Sequence, residues 1–350
     1  MIGYFAAANT GEGFVSLFPS CFSARDHRAV YVLKGGPGTG KSTLMRHVAC
    51  ASEAFGYETE VFYCASDPSS LDGVRIPSLG VCVVDGTPPH TVEPRLAGVS
   101  ERLTDLGAAF DTVALYEKRE ELFALADAKA EAYRAAYRYL AAAGRMAAER
   151  DSALSSVFLE EKARAAAERL VSSLKHARPG PAVFRYLSAI TSQGEVHLDT
   201  LRCRAEKRFA VTNKNGMGYL FMAALRRALL ARGLAVTICE TPLTRDRTEE
   251  IFVEGERLLV YVASGEETCD ADRIVNAARF FPRNGLTACR ARVRGAEKCE
   301  ASLVRGAVEA LSAVGRLHAR MEAIYSAHTD FDEVDRVRGR ILSEIFANNM

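Results

Sequence analysis

The chain has no tryptophan, no cysteine pair spaced C-x-x-C, almost no net charge and no run of about 18 uncharged apolar residues. Each absence removes a class of protein. Nine cysteines, an odd number, lie scattered between Cys21 and Cys299. Without paired spacing they support neither a zinc ribbon nor a thioredoxin-like centre, and they read as free thiols of a non-secreted protein. The opening residues MIGYFAAANTGEGF lack a basic segment followed by an apolar one, so no signal peptide is expected. With no membrane span either, a cytoplasmic protein without a membrane partner is expected. A net charge of +1 gives no general basic face, so nucleic acid is not an expected partner.

What remains is an ordinary globular composition long enough for about two domains. Residues 29–34, AVYVLK, read as a buried strand. A glycine-rich turn follows. A helix is then expected from 41 to 55, because Leu44, Val48, Ala51 and Phe55 fall on one face and Gly56 is placed to end it. Residues 60–65 and 80–84 are further strand candidates, the latter ending at Asp85. Strands alternating with a helix over short connections predict a parallel α/β sheet. From about residue 99 glycine and proline nearly vanish. Two long helices are expected at 112–143 and 147–175, turning near Gly144 as a hairpin, with a linker at 176–181.

The pattern then recurs. RFAV at 208–211 resembles the first strand, and AVTIC at 235–239 and RLLVYVA at 257–263 resemble the next two. Gly38, Gly40 and Lys41 fall against Gly216, Gly218 and Tyr219. YFAAANTGEGF near the start matches YLSAITSQGEV at Tyr186 loosely, which sets Asn9 and Thr10 against Thr191 and Ser192 as possible liners of one crevice. The expectation is an α/β fold with a P-loop NTPase parallel sheet, tandemly duplicated, with long α-helical hairpin insertions. Its parts would be a nucleotide core over 1–110, a hairpin over 111–178, a second degenerate unit over 183–295 and C-terminal helices over 296–350.

The chemistry sits in GGPGTGKST. Gly35, Gly40, Lys41 and Ser42 satisfy G-x-x-x-x-G-K-[ST]. Glycines let successive N–H groups curl inward onto phosphate oxygens, and the helix that follows aims its positive end at the same anion. Gly35, Gly36, Pro37, Gly38, Thr39, Gly40, Lys41, Ser42 and Thr43 are therefore the expected nucleotide-binding residues. Lys41 is suited to the β- and γ-phosphates, Ser42 to magnesium and Thr43 to the α-phosphate side. Asp85, at a strand tip, can hold magnesium or cap a turn. Asp67 and Asp72 in CASDPSSLDG can orient an attacking water or serve as turn residues. His90 is a candidate base or γ-phosphate sensor, or an exposed loop histidine. Lys41, Asp85 and Asp67 are the catalytic candidates, with ATP and Mg2+ as cofactors. In the second unit Tyr219 and Leu220 stand where Lys41 and Ser42 stand, and no carboxylate matches Asp85, so that half should not hold a triphosphate. NKNG at 213–216 lacks the aspartate of a guanine-reading motif.

Four segments, YFAAANTGEGFVSLF, LKGGPGTGKSTLMR, CASDPSSLDGVRIP and VVDGTPPHTVEP, with the Ala/Glu-rich helices after them, resemble a family of uncharacterised bacterial P-loop ATPases built from two related halves. The resemblance spans nearly the whole chain and is strongest over residues 4–95. It implies ATP binding at 36–43 and a cytoplasmic location, without a defined substrate or protein partner. Relatives tend to keep a P-loop in the second half as well, and this chain does not. The expected activity is slow Mg-ATP hydrolysis moving the helical hairpin. A small-molecule kinase and a non-enzymatic ATP switch are the alternatives.

Overall fold

The computed structural model describes residues 1–244, 247–264 and 269–347. The first part runs β1 (Ile2–Phe5), β2 (Ala7–Thr10), β3 (Gly13–Ser16), α1 (Phe18–Cys21), β4 (Ala29–Lys34), α2 (Lys41–Ala54), β5 (Glu60–Tyr63), β6 (Leu71–Ile76), β7 (Val81–Asp85), β8 (Glu101–Asp105), α3 (Thr112–Glu117), α4 (Arg119–Ser155) and α5 (Glu160–Ser172). The second runs β9 (Ala182–Arg185), β10 (Ser188–Thr191), β11 (Gly194–His197), α6 (Thr200–Arg204), β12 (Lys207–Thr212), α7 (Met217–Ala231), β13 (Val236–Glu240), β14 (Thr248–Val253), β15 (Leu258–Ala263), β16 (Arg273–Val275), α8 (Arg283–Ala327) and α9 (Phe331–Phe346).

The fold is α/β. One sheet has the order β1-β5-β6-β7-β4-β8 and the other β9-β13-β14-β15-β12-β16, so corresponding strands hold corresponding places. The expected parallel sheet needs correcting: both sheets are mixed. β6 and β14 run antiparallel to both neighbours, while the other pairings are parallel. Short links explain this, since β6 passes to β7 through residues 77–80, too few for a parallel crossover, with Gly80 at φ 62° making the turn. Asp72 therefore lies on a central strand rather than in a loop. Gly73 beside it is a strand glycine packed under the Phe22 ring, where a Cβ would collide.

Each central strand is buried on both faces, as its unbroken apolar run requires. Tyr31, Leu33, Val81 and Val83 pack against α2 and α9, while Val30, Val32, Cys82 and Val84 point the other way. There they join Phe252, Leu259, Tyr261 and Ala263 of the second sheet in one continuous cluster. The far face of the second sheet is covered by α5 and α7.

The long helices also differ from expectation. α4 runs 37 residues straight through Gly144, and the break comes at 156–159. An interior glycine costs a helix about 1 kcal/mol, which tertiary packing overrides here. Ala136 and Leu140 of α4 pack on Ala307 and Leu311 of α8, and Tyr139 lies close over Gly306. The partner of α4 is thus the 45-residue α8, which starts at Arg283 rather than near 296, and not the helix next to it in sequence. No helix among the described residues is long and apolar enough to cross a membrane.

Asn9 ties these layers together. It is fully buried; its Nδ2 donates to the carbonyls of Ala65 (3.1 Å) and Ile190 (3.0 Å), and its Oδ1 accepts from the Tyr137 hydroxyl of α4 (3.2 Å). Asn9→Ala would orphan two buried carbonyls that lie 125 residues apart in sequence. We expect a loss of about 3 kcal/mol, read as a lower urea midpoint; an unchanged midpoint would show that the clamp carries little.

Candidate functional site

β4 delivers the chain to the glycine-rich loop at the carboxyl edge of the first sheet. Gly38 (φ 72°) and Gly40 (φ 81°) are left-handed, and Gly40 turns the chain directly into α2. No side chain caps that helix, so its first amides face outward without a built-in acceptor. Thr39 is buried and its hydroxyl donates to Gly36 O at 3.0 Å, holding the curl. Lys41 Nζ donates to the carbonyls of Gly35 and Gly36, each at 2.9 Å, and sits 3.7 Å from Asp85 Oδ2.

Asp85 ends β7, next to β4 and in register with Leu33. Its Oδ1 accepts from the Thr87 amide (2.8 Å) and hydroxyl (2.6 Å). Burial raises its pKa above the ordinary carboxylate value, and Lys41 and Thr87 pull against that. Ser42 Oγ accepts the Leu71 amide at 2.9 Å, which joins the start of α2 to the start of β6. Thr43 is exposed at the cavity rim.

The other wall of the cavity, about 570 Å³ in volume, comes from α4 and α8. Ser326 donates to Gly38 O at 3.2 Å, and a Cβ on Gly38 would stand 2.8 Å from Glu322 O, so α8 rests on the loop itself. Lys129 Nζ donates to His318 Nδ1 at 3.0 Å. Burial first, then Lys129 and Lys41, push the His318 pKa down to about 4, so its ring is neutral near pH 7. Glu322 moves up because of burial and Asp67, against Lys41, Lys129 and the Gly38 amide. Asp67 lines the same cavity with Oδ1 held in a turn by the Ser69 amide and hydroxyl.

His90 departs from the exposed-loop reading. Its side chain is 5% exposed, stacked on Phe18 (4.5 Å between centroids) and edge-on to Phe14 (4.9 Å). Its Nε2 lies 3.2 Å from Asp72 Oδ2. Burial opposes charge on the ring, but the Asp72 carboxylate outweighs it and the pKa rises. Asn9 and Thr10 line no part of this cavity; they are the interior clamp and a hairpin clasp, Thr10 Oγ1 donating to Gly13 O as Thr191 Oγ1 does to Gly194 O.

No protein-family model, curated protein or solved structure matches this chain. The site therefore rests on its own geometry.

In the second half only four residues, 213–216, connect β12 to α7, against six between β4 and α2. Each helix follows a left-handed glycine, so Met217 and Gly218, rather than Tyr219 and Leu220, stand where Lys41 and Ser42 stand. The shift by two residues leaves the outcome unchanged, since neither pair offers an ammonium and a hydroxyl. Asn213 Oδ1 takes the Gly218 amide at 3.0 Å, and the Arg150 guanidinium lies against Gly216 while pairing with Glu300 at 3.2 Å. β15 ends on Ala263, without a carboxylate.

A cavity of about 200 Å³ beside Arg150 and Arg247 holds Glu249. Burial, with a smaller push from Glu250, raises Glu249 to about 7, which His197 and Ser188 only partly offset. The native chain then keeps a proton between about pH 4.5 and 7 that the unfolded chain releases, so this residue's contribution to stability falls as pH rises through that window. Glu249→Gln should gain on wild type by about 2.5 kcal/mol between pH 5 and pH 8, read from urea unfolding at both. A difference that does not change with pH would disprove the assignment.

Proposed function

We propose that the chain binds Mg-ATP at residues 35–43 and hydrolyses it slowly. The observation that carries this reading is convergence: uncapped helix amides, the Lys41 ammonium, the Ser42 hydroxyl and the Asp85 carboxylate meet at one cavity. The cavity has room for a polyphosphate, and the loop is curled, not splayed. Lys41 would leave its own carbonyls for the β- and γ-phosphates, while Ser42 and Asp85 would hold magnesium. A bound dication offsets the burial that now raises the Asp85 pKa. Asp67, at the cavity edge, would contact the attacking water.

We read the two halves as duplicated P-loop units with the second one degenerate. Matching sheet orders and the paired Thr10–Gly13 and Thr191–Gly194 clasps support this. The mobile element becomes α8 rather than the expected hairpin, because Glu322 and Ser326 rest on the loop. That contact also favours a second reading, in which ATP only shifts α8 for a partner and turnover is absent.

Calorimetry with ATP and magnesium tests the binding. Lys41→Ala should weaken it about 100-fold, or about 3 kcal/mol, and Asp85→Asn should abolish the magnesium dependence. Wild-type protein that neither binds nor turns over ATP would end both readings. Glu322→Ala removes a carboxylate that a γ-phosphate must displace, so ATP affinity should rise, by about tenfold for one such contact. A fall in affinity would mean that α8 supports the nucleotide instead of competing with it.

A further inference from the structure

We infer that Cys64, Asp72 and His90 form a site for one divalent transition ion of the zinc class, distinct from the Ser42–Asp85 magnesium position. The inference does not depend on nucleotide binding. One donor atom from each of the three residues lies within 4.8 Å of the other two. A thiol, an imidazole and a carboxylate together suit zinc, cobalt or iron and do not suit magnesium, which takes oxygen alone.

Two buried atoms require an explanation. Asp72 Oδ2 stands 3.2 Å from His90 Nε2, an ion-pair distance, but without the angles of a good hydrogen bond. His90 Nδ1 is buried without one as well. Both side chains are about 95% buried, where an unsatisfied polar atom is costly. Two ligands bonded at about 2.0 Å across a tetrahedral angle stand about 3.3 Å apart. The observed contact is an ion pair when His90 is protonated, and the same spacing suits the neutral ring and the carboxylate sharing an ion.

The three donors are also held in place. Cys64 follows β5, with its amide donating to Ser70 O at 3.0 Å. Asp72 belongs to a central strand, and Phe18 and Phe14 fix the His90 ring. All three residues line the large cavity. Three protein ligands with a fourth position facing open space is the arrangement of a zinc site that exchanges water or substrate oxygen.

Cobalt(II) titration of metal-stripped full-length protein, without nucleotide, tests this. One equivalent should bind with a thiolate-to-cobalt charge-transfer absorption that zinc(II) then removes. Cys64→Ser should lose the absorption, and His90→Gln and Asp72→Asn should each weaken binding at least tenfold. Cys50→Ser, at an exposed cysteine on α2, should match wild type. X-ray absorption of the zinc-loaded wild type, which needs no variant to fold, should show a single sulfur at about 2.3 Å. No stoichiometric absorption in wild type, absorption that survives Cys64→Ser, or a sulfur count other than one would overturn the site. Those results would leave the nucleotide reading standing.

Discussion

A lysine ammonium at the closed end of a cavity must be neutralised from close by, and Lys41 draws on its own loop. Two carbonyls at 2.9 Å and a carboxylate at 3.7 Å hold it. That grip needs a backbone tight enough to turn two carbonyls inward, which needs the left-handed glycines at 38 and 40. It also needs β7 directly beside β4, so that Asp85 arrives at the same height as the loop. The same curl brings the start of α2 to the cavity without a side-chain cap.

The rest of the cavity is arranged around this charge. Lys129 comes within 3.0 Å of His318, and together with burial it keeps that ring neutral rather than adding a third positive group. Asp67, Glu322 and Asp85 supply negative charge on three sides. Burial moves the pKa of Glu322 and of Asp85 upward, and Lys41 pulls against it in both.

What the sequence revealed was local. AVYVLK, the glycine turn and the helix ending at Gly56 are each decided by neighbours within a few residues, and β4, the loop and α2 follow them closely. Asp85 was legible because a strand ended on it. Asp72 was obscured because Asp-Gly has turn chemistry, and only pairing to β5 and β7 makes it a strand. Gly144 looked like a break until α8, distant in sequence, supplied packing that no periodicity announces. Lys129, His318 and Glu322 reach the loop along helices that start far from it in sequence, and nothing in their local pattern separates them from a solvated face. His90 looked exposed because its partners, Phe14, Phe18 and Asp72, come from other elements.

The two helix starts act as an internal control on the anion argument. α2 and α7 both follow a left-handed glycine, and both would project free amides and a positive dipole end. At α7 the chain has already answered: Asn213 takes the Gly218 amide, and the carboxylate of Glu300 arrives with Arg150. A guanidinium alone beside a helix start would be repelled by the dipole, so Glu300 is what makes that arrangement tenable. At α2 no side chain of the loop caps the helix, and the cation is a lysine folded back onto the Gly35 and Gly36 carbonyls. At α7 the anion arrives with its cation from neighbouring helices, whereas at α2 the carboxylate that reaches the loop is Glu322 of α8, facing the Gly38 amide.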